Sequence, residues 1–283
     1  MVLGAGLGSR LKPFTLKIPK PLLPVMGVPC IEFALTNLRD GGVLETVVNT
    51  HAHADQLSHY LKSSPVRGLN LKESSEKERL LGSAGGIRKA IPFFNAQPFF
   101  SMNADVIHFP DLTALAQAHF HFRQKLGVQM TLVIGEREAM LSQNGEYTEM
   151  LISKDSGLVL GLGSKKIHRP FFTGTAIFEP EAFMHLPALA PSDFVRQVLI
   201  PKIQTRQVAF ILSSELWIDI GTPELWAEAH HKLAFSLQKN QLPESISLLL
   251  NQADPTCQGQ FELGKNKIRL EDMVYETADI RNS

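Results

Sequence analysis

Met1-Val2-Leu3-Gly4-Ala5-Gly6-Leu7-Gly8-Ser9-Arg10-Leu11-Lys12-Pro13-Phe14-Thr15 opens the chain, and Pro19-Lys20-Pro21-Leu22 follows closely. The apolar run Met1–Leu3 reads as a strand that ends at Gly4; with three residues before the glycine, the strand is short or its start is truncated. A glycine run after a strand lies at the carboxyl edge of the sheet, where ligands bind in open α/β folds. Glycines let backbone N–H groups surround phosphate oxygens, because no Cβ blocks the approach. Neither common phosphate motif fits. Ser9 stands where the dinucleotide fingerprint G-x-G-x-x-G needs its third glycine, and where G-x-x-x-x-G-K-[ST] needs its second. The next stretch carries Arg10, Lys12, Lys17 and Lys20, with prolines at 13, 19, 21 and 24. Prolines forbid a regular helix and stiffen the loop. Cations on a stiff loop behind a glycine turn make a polyphosphate clamp, against the blander reading of a basic surface loop.

The rest of the composition narrows the class. The chain has 283 residues, 44% hydrophobic and 20% charged, which is globular and excludes wholesale disorder. Lys plus Arg and Asp plus Glu are 28 each, so a globally basic nucleic-acid surface is excluded while a local phosphate pocket is not. The two cysteines, Cys30 and Cys257, make no disulfide framework or CxxC pair and suit a reducing compartment. The N-terminal residues lack the pattern of a signal peptide, and no apolar run is long enough to span a bilayer. The expectation is a cytoplasmic protein with no membrane or nucleic-acid-polymer partner.

Strand-like and helix-like segments alternate through the first two hundred residues. Helices are expected at Ile31–Leu38, Asp55–Leu61, Ile87–Phe93 and Leu112–Phe122. Strands are expected at Val43–Asn49, Leu69–Leu71, Pro98–Val106 and Val128–Ile134. That order predicts βαβ units: a doubly wound α/β fold with a mixed, mostly parallel sheet. Met150–Ile152, Leu158–Leu162 and Phe171–Phe178 suggest a small antiparallel insertion. Phe194–Ile203 looks helical and Val208–Leu212 looks like a strand. Thr222 as N-cap and Pro223 at the first helical position start a long helix, with Leu225, Ala229, Leu233 and Leu237 on its buried face. Residues 1–240 form the expected catalytic domain and 241–283 a short appendage. There Ile268, Val274 and Ile280 recur every six residues, which suits a stub of left-handed β-helix; a tail packed on the domain is the alternative.

Gly6-Leu7-Gly8-Ser9-Arg10-Leu11-Lys12-Pro13-Phe14-Thr15 with Pro19-Lys20-Pro21-Leu22 resembles the signature of sugar-1-phosphate nucleotidyltransferases, a Rossmann-like family also called NDP-sugar pyrophosphorylases. The resemblance runs to about residue 235 through Leu81-Gly82-Ser83-Ala84-Gly85-Gly86, Asn103-Ala104-Asp105, Phe172-Thr173-Gly174 and Trp217-Ile218-Asp219-Ile220-Gly221-Thr222-Pro223. It looks closest to the mannose-1-phosphate guanylyltransferase and N-acetylmuramate-1-phosphate uridylyltransferase branches. It implies that an NTP and a sugar-1-phosphate give an NDP-sugar, a precursor of cell-envelope polysaccharide, and pyrophosphate. By the same resemblance Asp105 and Asp219 hold Mg²⁺, a hard cation that takes one or two carboxylates plus waters and phosphates. Arg10 acts on the transferred and leaving phosphates, and Lys20 on the α-phosphate and the incoming sugar phosphate. Leu3, Gly4, Ala5, Gly6, Gly8, Ser9, Gly82, Ser83 and Gly85 contact the nucleotide. Asn103, Gly174 and Lys165 contact the sugar, with Lys166 beside Lys165; the glutamate of the family's E-K-P string is absent here.

Several residues stay open between roles. Glu76 or Glu78 is expected either to accept a hydrogen bond from the base or to lie in a solvated loop. His51 and His53 fit the wall of a cleft better than a transition-metal site. His119 and His121 are expected on the surface; Cys30 lies near a helix start, where a thiolate would be favoured, but no His–Asp partner pattern accompanies it. A homo-oligomer is compatible with the sequence. Two further functional readings stand beside the enzyme: a catalytically inactive nucleotide-sugar-binding regulatory subunit on the same fold, and a nucleotidyltransferase acting on a non-sugar phosphate.

Overall fold

The structure, a computed structural model, describes residues 1–63, 66–136, 147–166, 170–253, 261–264, 267–270 and 273–276, with residues 165–166 and 261–276 described by their backbone alone. β1 (Val2–Leu3) runs into the opening loop, whose prolines break it into one-turn 3-10 segments at Ser9–Leu11, Phe14–Leu16 and Lys20–Leu22. The ribbon β2 (Pro24–Val25) and β3 (Val28–Pro29) leads into α1 (Cys30–Asp40). Then come β4 (Glu45–Thr50), α2 (Ala54–Lys62), β5 (Asn70–Ser75), α3 (Gly82–Ala90), β6 (Phe99–Asn103), β7 (Val106–His108), α4 (Leu112–Leu126) and β8 (Met130–Gly135). β9 (Tyr147–Ser153), β10 (Leu158–Lys166), β11 (Phe171–Phe178), α5 (Ile200–Gln204), β12 (Val208–Ser213) and β13 (Trp217–Asp219) precede α6 (Pro223–Gln238) and α7 (Glu244–Gln252).

Nine strands form one sheet in the order β5-β4-β1-β6-β11-β8-β12-β10-β9. Within it β11 and β10 alone run against the other strands. The mixed, mostly parallel sheet is therefore as expected, and β1, β4, β5 and β6 all end at one edge. Both faces are buried: Val47, Leu132 and Ala176 pack into one core cluster while their neighbours Val48, Val133 and Ile177 pack into the other. Successive residues of a strand point to opposite faces, so this split is what covering a sheet with helices on both sides requires.

Three expectations change. β11 is not part of a peripheral insertion; it lies in the middle of the sheet between β6 and β8. Strand order along a sheet is non-local and left no mark in the local pattern. The buried face of α6 is rotated from the one read off its leucines: Trp226, Ala229, His230 and Leu233 are buried while Leu225 and Leu237 are half-buried. Thr222 does cap the helix, its Oγ1 accepting from the Leu225 N–H at 3.3 Å. The tail is not a coil of parallel strands. β14 (Phe261–Gly264), β15 (Lys267–Leu270) and β16 (Met273–Glu276) pair antiparallel as a meander. Four-residue strands joined by two-residue links also repeat every six residues, so the period alone could not tell the two apart.

The boundary expected at 240 also moves. Ile246 and Leu250 of α7 share a buried cluster with Leu11, Phe14, Ile107, Ile218, Trp226 and Leu233. Residues 241–253 thus belong to the main packed unit. No helix among the described residues is long and apolar enough to cross a membrane. Leu250 is 5% exposed. Leu250→Ala should therefore cost about 2–4 kcal/mol of global stability, read by urea unfolding of the whole chain. An unchanged midpoint would show that α7 is a separate appendage.

Candidate active site

Residues distant in sequence meet where β1 and β6 end. β13 pairs antiparallel with β7, Asp219 opposite Val106, and the Ile220 N–H donates to the Asp105 carbonyl at 3.2 Å. This ladder sets the two acids side by side. The opening loop is anchored from beneath: Phe14 packs edge-on to Trp226 at 4.8 Å, and the Trp226 indole N–H donates to the Pro24 carbonyl at 2.8 Å. Held this way, Lys20 is only 8% exposed, and its Nζ donates to Asp105 Oδ2. Arg10 reaches over from the other arm of the loop. A Cβ added at Gly221 would lie 3.0 Å from Arg10 Nη2 and 3.0 Å from both carboxylate oxygens of Asp219. A side chain at Gly221 would thus crowd both the guanidinium and the acid. Arg10, Lys20, Asp105 and Asp219 share one pocket.

The electrostatics follow from this crowding. Burial, and then the neighbouring charge of Asp105, push the Asp219 carboxyl above its ordinary value; Lys20, a 3.1 Å hydrogen bond from the Tyr147 hydroxyl, and Arg10 oppose the shift. Beneath the acids, burial pushes the Cys30 thiol far up, and Asp105 and Asp219 add to it. No reactive thiolate forms at that helix start, in keeping with the lack of a His–Asp partner pattern: desolvation and two nearby negative charges outweigh the helix terminus.

The phosphate-turn residues fall together at the strand edge. The Gly4 N–H donates to Asn49 Oδ1 at 2.9 Å. Leu3 and Gly8 are half-buried, Ala5 is buried, and Gly6 and Ser9 are exposed. A Cβ at Gly6 would meet nothing within 4 Å. Gly8 has φ +61, and a Cβ there would lie 2.8 Å from Thr15 Cγ2, so the turn requires a glycine. The Thr15 hydroxyl donates to the Gly8 carbonyl at 2.8 Å. Asn103 and Gly174 face each other at the other side of β6: a Cβ at Gly174, φ +88, would lie 2.5 Å from Asn103 Nδ2. The side chains of Lys165 and Lys166 lie outside the described residues.

The glycines in the first turn of α3 have a reason that the sequence reading missed. Added Cβ atoms at Gly82 and Gly85 would lie 2.8 Å from the Ser192 carbonyl and 2.7 Å from the Ala190 carbonyl. The Ala84 N–H donates to the Ser192 carbonyl at 3.1 Å, and the Ser83 hydroxyl accepts from the Phe194 N–H at 3.4 Å. This loop is small because backbone 190–194 presses on it. Glu76 is buried at the edge of an open pocket of about 560 Å³ that Glu78 lines with Lys77, Arg79 and Lys89.

Of the histidines, His119 departs from expectation. His51 Nδ1 lies 2.8 Å from the Glu76 carbonyl and His53 Nε2 3.0 Å from the Thr15 carbonyl, so both tie loops together. His119 is not on the surface. It is 3% exposed, between Thr131 Oγ1 at 2.8 Å and Glu179 Oε1 at 3.1 Å. His121 is exposed. Tyr147 carries a part of the site that no local pattern announced.

The acids suit a hard divalent cation. Among the described residues no group of three or more His, Cys, Asp or Glu side chains could hold a metal by itself. The pocket therefore offers two carboxylates and no imidazole or thiolate, leaving other positions to water and phosphate oxygens, which is the habit of Mg²⁺. Asp219→Asn tests the charge crowding. A carboxyl with a raised folded value contributes stability below the unfolded value, and loses it as pH rises through the folded one. The variant should thus melt higher than the parent at pH 7 in chelator, with the gap closing below about pH 4. A lower melting point at pH 7 would contradict the crowding.

Residues 1–236 match the nucleotidyl transferase family. The chain is 31% identical over 222 residues to an N-acetylmuramate alpha-1-phosphate uridylyltransferase of Neisseria meningitidis serogroup B, covering 78% of this chain and 92% of that one. It is 28% identical to a UTP–glucose-1-phosphate uridylyltransferase of Synechocystis, covering 86% of this chain and 65% of that one. It is 27% identical to the mannose-1-phosphate guanyltransferase beta-B of Xenopus laevis, covering 79% and 61%. It thus spans nearly all of the first relative and less than two thirds of the other two. HddC from Yersinia pseudotuberculosis shares the fold with a TM-score of 0.67 at 24% identity, covering 82% of this chain and 97% of that one. A putative glucose-1-phosphate thymidylyltransferase from Bacillus anthracis does so with a TM-score of 0.69 at 18% identity, covering 82% and 93%. The motifs at Gly6–Thr15 and Trp217–Pro223, the doubly wound sheet and the match over most of the chain agree: this chain belongs to the nucleotidyl transferase family.

Proposed function

We propose that the protein is a sugar-1-phosphate nucleotidyltransferase that uses UTP or GTP. An oxygen of the sugar phosphate attacks the α-phosphorus, the bond from the α-phosphorus to the bridging oxygen breaks, and pyrophosphate leaves with that electron pair. The observation that carries this reading is the convergence of Arg10 and Lys20 on the same pocket as Asp105 and Asp219. Such chemistry asks little covalent work of the protein; positioning and charge neutralisation lower the barrier.

Arg10 offers a planar fork to the transferred and leaving phosphates, whereas Lys20 is a compact charge for the α-phosphate and the incoming sugar phosphate. Asp105 and Asp219 would hold Mg²⁺, which when bound neutralises phosphate charge and orients the triphosphate. Gly6, Gly8 and Ser9 present backbone to the phosphates, Gly4 holds the turn to Asn49, and the segment 82–85 lies against the base. Asn103 and Gly174 line the sugar side, with Lys165 as a further candidate. The product is read as a cytoplasmic precursor of a cell-envelope polysaccharide.

A non-catalytic subunit on this fold would be expected to have lost one of Arg10, Lys20, Asp105 or Asp219; all four are present.

Pyrophosphate release should be seen with Mg²⁺ in a matrix of UTP and GTP against N-acetylmuramate-, glucose- and mannose-1-phosphate. Asp105→Asn should abolish it with the circular dichroism unchanged. Lys20→Ala should lower turnover about 10²–10³-fold, the loss typical of removing one charge-stabilising donor. Full turnover in either variant would remove that residue from the machinery, and no release with any pair would overturn the activity.

A further inference from the structure

Glu76 follows β5 and is 2% exposed, a buried acid that the transfer chemistry does not use. Its Oε1 accepts from Asn49 Nδ2 at 2.7 Å, and its Oε2 accepts from the Leu81 N–H at 2.7 Å. The other end of the Asn49 amide is also engaged, Oδ1 accepting from the Gly4 N–H at 2.9 Å. An unbroken chain of hydrogen bonds therefore runs from Gly4 through Asn49 and Glu76 to Leu81. It joins the turn assigned to the phosphates to the loop assigned to the base. The backbone of Glu76 is held as well: its N–H donates to the Thr50 carbonyl at 2.7 Å, and its carbonyl accepts from the Arg79 N–H at 3.0 Å.

The donor and acceptor pattern explains the residue types. Gly4 N–H is a donor, so Asn49 turns its oxygen to it and its NH₂ to residue 76. Residue 76 then faces two donors, Asn49 Nδ2 and Leu81 N–H, and only a carboxylate accepts at both ends; a glutamine would aim its own NH₂ at one of them. Gly86 clears the space. A Cβ there would lie 2.5 Å from Glu76 Oε1 and 2.7 Å from Asn49 Nδ2. A buried ion without such partners is costly, which is a reason to expect that it serves a purpose.

We propose that Glu76 is a positioning residue: through Asn49 it sets the spacing between the phosphate turn and the base loop, so that a nucleoside triphosphate meets both halves of its pocket already aligned. This rests on the reading of the pocket as a nucleotide site. Glu76 borders the open pocket, but its oxygens are engaged by Asn49 and Leu81, so it does not itself read the base. Fixing the two halves beforehand removes an ordering cost from binding.

An exchange of partners tests this. Glu76→Gln alone misaims an NH₂, and Asn49→Asp alone sets two carboxylates face to face. The double variant Asn49→Asp/Glu76→Gln can remake the whole chain: the new carboxylate at position 49 accepts from the Gly4 N–H and from the glutamine NH₂, and the glutamine oxygen accepts from the Leu81 N–H. Dissociation constants for UTP and GTP are measured by calorimetry on the full chain without sugar phosphate. Each single change should weaken the bound nucleotide about tenfold or more, the effect of one lost hydrogen bond. The double variant should return to within about threefold of the parent and keep the same preference between UTP and GTP. If a single variant fails to fold, the double variant decides alone.

A double variant that folds but binds as weakly as Glu76→Gln, or a preference altered by Glu76→Gln, overturns the proposal. So do single variants that bind as the parent does. A parent that binds an NTP but turns over no sugar phosphate would overturn the transfer reaction and leave this inference standing.

Discussion

Asp105 and Asp219 are held beside each other in a half-buried pocket, and the burial of Asp219, added to by the neighbouring charge of Asp105, is the constraint around which the rest is arranged. The β7–β13 ladder imposes it by pairing Val106 with Asp219. Lys20 answers it at both acids, paired with Asp105 and acting on Asp219 ahead of Tyr147 and Arg10. Such a site favours any further positive charge over a bare pair of carboxylates. A pocket that crowds like charges is suited to a ligand that arrives with its own cation, and a triphosphate does so. The same crowding weakens the empty protein, the usual conflict between stability and activity at a built site.

The fold serves that constraint. Parallel strands deliver Gly4, Thr50, Glu76 and Asp105 to one edge because each strand ends there. The opening loop is not stiffened by proline alone. Its apolar residues Leu11, Phe14 and Leu23 sink into the cluster formed with α6 and α7, so the two cations are mounted on a packed base. That is why the C-terminal helices matter to a site built mostly from the first half of the chain. Glycine recurs wherever two segments must close: Gly8 on Thr15, Gly82 on Ser192, Gly174 on Asn103 and Gly221 on Arg10 and Asp219.

Much of this was legible in the residues. The glycine turn, its proline-spaced cations, and the N-A-D and W-I-D-I-G-T-P strings are local in sequence, and each was read at its own position. Thr222 and Pro223 announced their helix for the same reason. What escaped depends on partners far along the chain. β11 enters the centre of the sheet because β6 and β8 flank it, a pairing no local period encodes. His119 looked exposed on a helix of mixed character but turns inward to Thr131 and Glu179. The choice between Glu76 and Glu78 needed the position of Asn49. The tail's six-residue repeat was real, yet it belongs to a meander and not a coil.

The central claim is that one cation-bound triphosphate is gathered by all four charged side chains. Crystals grown with Mn²⁺ in place of Mg²⁺ and a non-hydrolysable NTP, examined at the manganese absorption edge, test it directly. The account predicts an anomalous peak at Asp105 and Asp219, the two residues that would hold the cation, with the triphosphate beside it and the side chains of Arg10 and Lys20 on the phosphates. A peak elsewhere, or a triphosphate seated away from these four residues, would contradict it.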